Sequence, residues 1–213
     1  MSHNRQMIFL LVIACALVGL FLFIRIVQYE PLYPKAPEQQ ATSSLLQIPI
    51  LPNDPILGNA RAPKTIIAFA DFACDNCHTQ LLLLQELQTA YPDQVKIIFK
   101  GLSVTRFPQD STQAHRYAVC MQEQKQFDAY KDYVLVNYQN LSEAVLTTIV
   151  GNIDIKQSAF DDCLASSLPD DYLEQNKSIA RQLGIQSVPA FFVNHKQIQP
   201  PLSVDGWKTL LGL

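Results

Sequence analysis

The chain has 213 residues, a net charge of −3 and 48% hydrophobic residues, and these values limit what it can be. Its length accommodates one well-buried domain with an appendage and is shorter than two full domains usually require. The acidic balance argues against a nucleic-acid partner, which would require a basic surface. We therefore expect a single core domain with an additional segment.

The N-terminal segment is an unbroken apolar run over residues 7–24. At a helical rise of about 1.5 Å per residue the run nearly matches a hydrocarbon core about 30 Å thick, so residues 1–27 are predicted to be a membrane anchor. A cleaved signal peptide is the alternative, because Ala14-Cys15-Ala16 offers small residues for cleavage. The apolar run continues beyond this tripeptide, which disfavours both cleavage and a lipoprotein at Cys15. Basic residues flank the run on both sides, so charge alone does not determine its orientation.

A stalk and a βαβ unit are predicted to follow the anchor. Residues 28–53 contain evenly spaced prolines in a polar stretch, which is typical of an extended, semi-rigid segment. The short apolar run at residues 65–70 predicts a strand that is buried on both faces. A leucine-rich helix is predicted over residues 77–91, ended by Pro92, and a second buried strand over residues 95–99. Strand, helix and strand in this order form a βαβ unit within an α/β fold.

The remainder of the predicted catalytic domain, residues 54–213, is mostly helical before strands return. A helical insertion is predicted over about residues 109–183, since no strand pattern occurs there. Residues 190–193 then read as a strand, and an Asn194-His195 turn leads to a second short strand, which together form a hairpin. The other predicted helices cover residues 111–122, 127–138, 142–150, 157–165, 171–183 and 204–211.

The strongest chemical signal is a Cys-x-x-Cys pair, Cys74 and Cys77, where the first strand passes into the helix. A helix N-terminus provides free N–H groups and the positive end of the helix dipole, and both stabilise a thiolate. Cys74 is therefore the predicted exposed nucleophile. Cys77, one turn later, is the predicted resolving cysteine, which attacks the mixed disulfide formed at Cys74. The alternative interpretation is an inert structural bridge.

Cofactor-binding interpretations of the same segment also have to be considered. With His78 the pair satisfies Cys-x-x-Cys-His, the attachment pattern of c-type haem, although the βαβ context disfavours haem. Zinc is disfavoured because the remaining cysteines stand singly. Thiolates beside an imidazole would suit Cu(I), so a copper-binding module stays open. In the haem interpretation His78 is one axial ligand, and the candidates for the second are Met121, His115 and His195.

The motifs taken together resemble a known family. Val188 and Pro189 lie directly before the strand at residues 190–193. A Cys-x-x-Cys after the first strand of a βαβ unit, a helical insertion and a Val-Pro before a hairpin resemble the DsbA-like branch of the thioredoxin superfamily. The resemblance extends from about residue 54 to the C terminus. It implies a thioredoxin-like fold, a redox-active dithiol without a cofactor or metal, and a cis Pro189 packed against the dithiol. It also implies that the Val188 backbone binds an extended substrate peptide.

The chain departs from the DsbA-like pattern at two positions. Asp75 stands where proline usually follows the first cysteine, and its carboxylate disfavours a thiolate at Cys74. His78 lies on the same helical face and would offset this effect when protonated. The resemblance also implies a buried acid in the first strand that assists proton transfer, but Ala68 occupies the matching position, so this aid is either missing or supplied elsewhere, with Asp71 as the candidate. The predicted modulating residues are Asp71, Asp75, Asn76 and His78.

The remaining cysteines, Cys120 and Cys163, fall in two predicted helices of the insertion. The resemblance implies that they form a second, structural disulfide, and two separate buried thiols are the alternative. Leaving out Cys15, the cysteines form an even set of four, which favours an oxidising compartment.

These observations predict an extracytoplasmic thiol-disulfide oxidoreductase. We expect a single-pass protein of the cytoplasmic membrane whose catalytic domain lies on the periplasmic side. The resemblance implies two kinds of partner, namely extracytoplasmic proteins with thiols or disulfides and a membrane redox partner of the DsbB or VKOR type. Oxidation of substrates is the first expectation and reduction the second. Isomerisation is disfavoured because the family's isomerases carry a folded dimerisation domain in place of a proline-rich stalk.

Overall fold

The computed structural model describes residues 2–28, 47–107 and 110–213, in two compact units, Met1–Ser44 and Leu45–Leu213. The described part of the first unit is helix α1 (Ser2–Gln28), whose apolar side chains at residues 7–23 are exposed. Within the described part of the chain, none of the helices combines the length and the apolarity that a membrane span requires. Most of the predicted stalk lies outside the described residues.

The second unit is built on a five-stranded sheet in the order β1-β3-β2-β4-β5. The central strands β2 and β3 are parallel and joined by helix α2, as predicted for a βαβ unit. The outer pairings, β1 with β3, β2 with β4 and β4 with β5, are antiparallel. The strands are β1 (Ile56–Gly58), β2 (Lys64–Ala70), β3 (Val95–Gly101), β4 (Ala190–Val193) and β5 (Lys196–Ile198).

Both faces of the sheet are covered, which explains why its central strands are almost entirely apolar. Along β2, Ile66 and Ala68 belong to the core cluster that includes helices α2 and α3, whereas Ile67 and Phe69 belong to a separate cluster with Ile179 of helix α7. This alternation follows from the two-residue period of a strand. Burial on both faces holds the end of β2 rigidly, and the Cys-x-x-Cys segment begins four residues later.

The helices after the sheet's centre form the predicted insertion. Helices α3 to α7 all lie between β3 and β4, and α8 follows the hairpin and packs on α2. Trp207 of α8 donates its indole N–H to Gln80 of α2 and contacts Phe191 edge to face. The helices are α2 (Asp75–Ala90), α3 (Thr112–Glu123), α4 (Phe127–Val136), α5 (Glu143–Gly151), α6 (Gln157–Ala165), α7 (Leu168–Gln182) and α8 (Val204–Leu211).

Two features differ from the elements predicted from the sequence. Strand β1, only three residues long, was not predicted, because three residues are too few to show a period. Ile48, which falls within the predicted stalk, is buried in the core cluster on the α7 side of the sheet. The last residues of the predicted stalk therefore pack on the catalytic domain.

Candidate active site

Cys74 is the N-cap residue of helix α2, with extended backbone dihedral angles, and it is partly exposed. The backbone N–H of Cys77 donates a hydrogen bond to Cys74 Sγ at 3.2 Å. An extended residue that precedes a helix aims its side chain at the free N–H groups of the first turn, so these groups stabilise negative charge on the sulfur. Cys74 therefore has the position of the predicted nucleophile.

Cys77 lies on the inner side of the same turn and has no exposed surface. It forms a disulfide with Cys74, and their Cα atoms are 5.1 Å apart. The backbone N–H of Asp71 points at Cys77 Sγ, with a separation of 3.5 Å. A reagent that approaches from solvent therefore meets Cys74 before Cys77, and the roles of nucleophile and resolving cysteine stay predictions.

The Val188–Pro189 peptide bond is cis and lies beside the dithiol, the geometry that the resemblance implies. The carbonyl oxygen of Val188 is 3.9 Å from Cys74 Sγ, although 114 residues separate them in the chain. Both residues are partly exposed, so the loop and the reactive sulfur face the same solvent region. A substrate bound along this loop would present its sulfur to Cys74.

A buried carboxylate, Asp71, organises the backbone beneath the dithiol. Its Oδ2 accepts the backbone N–H groups of Val104 at 2.8 Å and Thr105 at 2.7 Å and the hydroxyl of Ser111 at 2.9 Å. Its Oδ1 accepts the N–H of Ala73 at 3.1 Å. The carboxylate thus ties the Cys-x-x-Cys loop to the segment that joins β3 and α3.

His115 of helix α3 completes this network. Its Nε2 lies 3.2 Å from Asp71 Oδ1, and its ring stacks on Phe72 with centroids 4.7 Å apart. The ring also lies against the backbone of Gly101, where an added Cβ would be only 2.6 Å from His115 Nδ1. The glycine at the end of β3 is therefore required for the close approach of the imidazole.

Burial by itself would raise the pKa of Asp71, but the hydrogen bond and charge of His115 and the amides of Thr105 and Ala73 outweigh that effect. The pKa of Asp71 consequently lies well below its ordinary value. A carboxylate with a lowered pKa is a weaker base than an ordinary one. Asp71 holds the loop through its hydrogen bonds, and its assistance in proton transfer stays a prediction.

The other predicted modulating residues lie on the exposed side of α2. Asp75 and Asn76 are both exposed in its first turn, so water and salt screen the charge of Asp75. The ring of His78 is partly buried and stacks on Tyr138, with centroids 3.8 Å apart and planes inclined by 13°. His78 is thus packed against the segment between α4 and α5.

Cys120 and Cys163 form a disulfide that joins α3 to α6, with Cα atoms 5.7 Å apart. Cys120 has no exposed surface. The disulfide lies within the helical insertion, and Cys120 is in the same helix, α3, as His115.

The residues named as possible second haem ligands lie in different environments. His115 and Met121 are buried in the core, and His115 is already engaged with Asp71. His195 is exposed in the turn between β4 and β5. Within the described residues no group of three or more His, Cys, Asp or Glu side chains has a geometry that could hold a metal ion.

Comparison with known proteins identifies the family. Residues 51–212 match the family described as Thioredoxin. The chain belongs to the thioredoxin family. A periplasmic thioredoxin-like protein of Salmonella enterica serovar Typhimurium has the same fold, with a TM-score of 0.65, 19% identity and coverage of 78% of this chain and 91% of that one. The thiol-disulfide exchange protein alpha-DsbA2 of Wolbachia pipientis gives a TM-score of 0.65 at 16% identity, covering 75% and 86% of the two chains.

A curated relative that matches this chain is much longer than the chain itself. The Na(+)/H(+) antiporter NhaA 3 of Salinispora tropica is 26% identical over 161 residues, and the match covers 75% of this chain and 24% of the antiporter. The chain thus spans about a quarter of the length of this relative. The thioredoxin family and the thioredoxin-like fold predicted from the motifs are confirmed.

Sequence reasoning missed part of the site. The pairing of Asp71 with His115 joins residues 44 positions apart, and the stacking of Tyr138 on His78 joins residues from two different elements. No local pattern signals either contact. The only available hint was that a polar Asp71 directly follows a strand that is otherwise buried.

Proposed function

We propose that the chain oxidises pairs of cysteine thiols in extracytoplasmic proteins. Cys74 accepts a substrate thiolate and forms a mixed disulfide, and Cys77 leaves as a thiolate that is then protonated. A second substrate thiolate attacks the substrate sulfur and releases Cys74. The substrate loses two electrons and two protons and gains a disulfide, while the Cys74–Cys77 disulfide becomes two thiols.

The observation that carries this proposal is the position of Cys74 Sγ. It accepts the Cys77 N–H at the N-terminus of α2, and it lies 3.9 Å from the Val188 carbonyl on the exposed side of the domain. The sulfur is therefore both activated and accessible beside a loop that can hold an extended peptide.

The same contact supports oxidation over reduction of the substrate. A thiolate at Cys74 exists only in the reduced protein, so the N–H bond and the helix dipole stabilise the reduced form. Stabilising the reduced form makes the disulfide a stronger oxidant. Asp75 opposes this effect but is exposed and screened, so its contribution is the smaller one.

Whether the chain oxidises or reduces its substrates can be tested by equilibrating the full chain with glutathione redox buffers. The free Cys74 and Cys77 thiols are then quantified by mass spectrometry. We expect a potential clearly above that of thioredoxin, which is about −270 mV. A potential at or below this value would make the chain a reductase. The Cys120→Ala/Cys163→Ala double variant, measured in parallel, ensures that the readout reports only the Cys74–Cys77 couple.

The location and the redox partner belong to the same proposal. An even set of four cysteines and the presence of a second disulfide support an oxidising compartment, and the apolar residues 7–24 support attachment to the cytoplasmic membrane. Reoxidation of the dithiol then requires a membrane disulfide donor of the DsbB or VKOR type. Cell fractionation with carbonate extraction, combined with protease access to the catalytic domain in spheroplasts, tests both attachment and side.

No cofactor takes part in this proposal, because the Cys74–Cys77 disulfide itself accepts the two electrons. Protein that has matured in cells competent for haem attachment should show no Soret band after denaturation, and metal analysis should find no stoichiometric copper. A covalent Soret band would replace the oxidoreductase proposal with the electron-carrier alternative.

A further inference from the structure

An open groove of about 270 Å³ lies beside the cis-proline loop. One wall is formed by Leu102 and Val104, which follow β3, and the other by the end of α7 and the segment that leads to the loop. Val104 is 53% exposed, and Ile185 and Val188 are partly exposed. Exposed branched apolar side chains at a cavity lined largely by apolar groups are typical of a surface that binds another apolar group.

The charge of the groove is opposite to the charge of the chain as a whole. Lys177 and Arg181 of α7 line it, and no carboxylate among the described residues does, although the chain has a net charge of −3. Arg181 is paired with the exposed Glu174, whereas Lys177 has no ion-pair partner among the residues that the structure describes. Arg106, on the neighbouring loop, is neutralised by Asp110. The groove therefore offers an uncompensated positive charge at Lys177.

The groove is continuous with the reactive sulfur. Val188 lines the groove, and its carbonyl oxygen is 3.9 Å from Cys74 Sγ. Successive side chains of an extended peptide alternate in direction, and residues two apart are about 6.5 Å from each other on one face. A segment whose cysteine reaches Cys74 can therefore place a nearby side chain in the groove.

We propose that this groove selects substrates: it takes an apolar side chain within a few residues of the substrate cysteine, and Lys177 binds an adjacent Asp or Glu. The occupant is an extended, cysteine-containing segment of an incompletely folded protein. The inference rests on the proposed oxidase function and adds a substrate class to it. Apolar burial accounts for affinity, and the cation accounts for the preference for acidic over basic segments.

The test uses two dithiol peptides that are identical except for one residue, Glu or Lys, beside an apolar residue two positions from the first cysteine. Each is mixed with the oxidised full chain, and peptide oxidation is followed by acid quench and mass spectrometry at low salt. We expect the Glu peptide to react about fivefold faster than the Lys peptide, as a single partly exposed ion pair would give.

Three variants test whether the faster reaction of the Glu peptide depends on the groove. Lys177→Glu should reverse it, and Val104→Ser should slow both peptides while keeping their ratio. Lys196→Glu, an identical charge change on exposed strand β5, which does not line the groove, should leave the ratio as in the parent. Circular dichroism confirms that each variant is folded.

Exchange with glutathione separates this inference from the proposed function. Glutathione exchange that is normal in all variants, together with equal rates for the two peptides, would overturn the groove assignment and leave the oxidase proposal intact. An identical ratio in Lys177→Glu and Lys196→Glu would overturn it as well. Absence of exchange with glutathione in the parent chain would instead contradict the oxidase proposal itself.

Discussion

The two disulfides of the domain contain the same bond but differ in almost everything around it. Cys74 and Cys77 are three residues apart, at the N-terminus of one helix, with Cys74 partly exposed. Cys120 and Cys163 are 43 residues apart and join two helices, with Cys120 fully buried and Cys163 partly exposed. Each bond thus joins one buried and one partly exposed cysteine, so the groups around the exposed cysteine, and neither its exposure nor the bond itself, distinguish the reactive disulfide from the structural one.

The difference has a thermodynamic side and a kinetic side. A bridge between residues one helical turn apart removes little freedom from the unfolded chain, whereas a bridge that closes a loop of more than 40 residues removes much more. At Cys74 the helix N-terminus stabilises the leaving or attacking thiolate, whereas Cys120 lies in the core and the partly exposed Cys163 lies inside helix α6, away from its N-terminus. The first disulfide is thus suited to exchange and the second to stabilisation.

The largest expected effect is on trapping of substrates. Cys77→Ser should leave Cys74 able to attack disulfides of extracytoplasmic proteins and remove the thiol whose attack on the resulting mixed disulfide would free Cys74, so mixed disulfides should accumulate. Cys74→Ser should trap almost nothing, since Cys77 has no exposed surface. Non-reducing gels of both variants, expressed as the full chain, measure this directly.

The Cys120→Ser variant serves as the control for a free thiol at the partner, Cys163. It should trap far less than Cys77→Ser, because Cys163 has no comparable position beside the Val188 loop. Equal trapping by Cys74→Ser and Cys77→Ser would mean that the nucleophile is wrongly assigned.

The second prediction concerns stability. Cys120→Ala with Cys163→Ala should lower the free energy of unfolding by about 4 kcal/mol, the chain-entropy value for a loop of this length. Reducing Cys74–Cys77 alone should change it by much less. Denaturant titration followed by the fluorescence of the buried Trp207 measures both, and glutathione exchange at Cys74 should persist in the folded double variant. A loss of less than about 1 kcal/mol would contradict the structural role of this disulfide.

The same comparison shows what the sequence could predict. Cys74, Cys77 and Pro189 stand in motifs whose spacing is local, so their positions follow from the strand and helix on which they lie. The contact of Asp71 with His115, and the groove formed by residues after β3 and residues of α7, depend on how distant elements pack. Strand β1 escaped prediction because three residues show no period, and its place at the edge of the sheet depends on pairing with β3.

The third prediction tests whether the hydrogen bonds of Asp71 stabilise the loop that carries the reactive disulfide. Asp71→Asn replaces an acceptor of several N–H groups with a side chain that also donates, so we expect a loss of about 3 kcal/mol in unfolding free energy at neutral pH. Because the pKa of Asp71 is lowered in the folded state, its ionised form stabilises the protein above its ordinary pKa, near 4, and this stability is lost as pH falls below it.

The difference between parent and Asp71→Asn should therefore be full at pH 7 and shrink on acidification below about pH 4. Asp154→Asn, the same change at an exposed site, should show little difference at either pH. In the reduced protein, alkylation of Cys77 should be faster in Asp71→Asn, because the loop that covers it loses its anchor. A difference that does not depend on pH would show that the ionised carboxylate is not the stabilising species.

The smallest expected effect comes from the charge of Asp75, next to the nucleophile, on the thiolate fraction of reduced Cys74. Asp75 is exposed in the first turn of α2, so its carboxylate disfavours a thiolate at Cys74 only through screened electrostatics. Asp75→Asn should therefore raise the thiolate fraction of reduced Cys74 at neutral pH by about two- to threefold, the size of a surface charge effect near a helix terminus. The pH dependence of iodoacetamide alkylation measures this fraction.

Asn76→Asp, which adds a charge at the neighbouring exposed position, should lower the thiolate fraction by a similar factor. Both changes should nearly vanish at about 1 M salt, where the screening length falls to about 3 Å. A tenfold change, or one that persists in high salt, would mean that Asp75 acts on Cys74 through direct contact, and the difference between the two disulfides would then depend on a local charge as well as on the helix N-terminus.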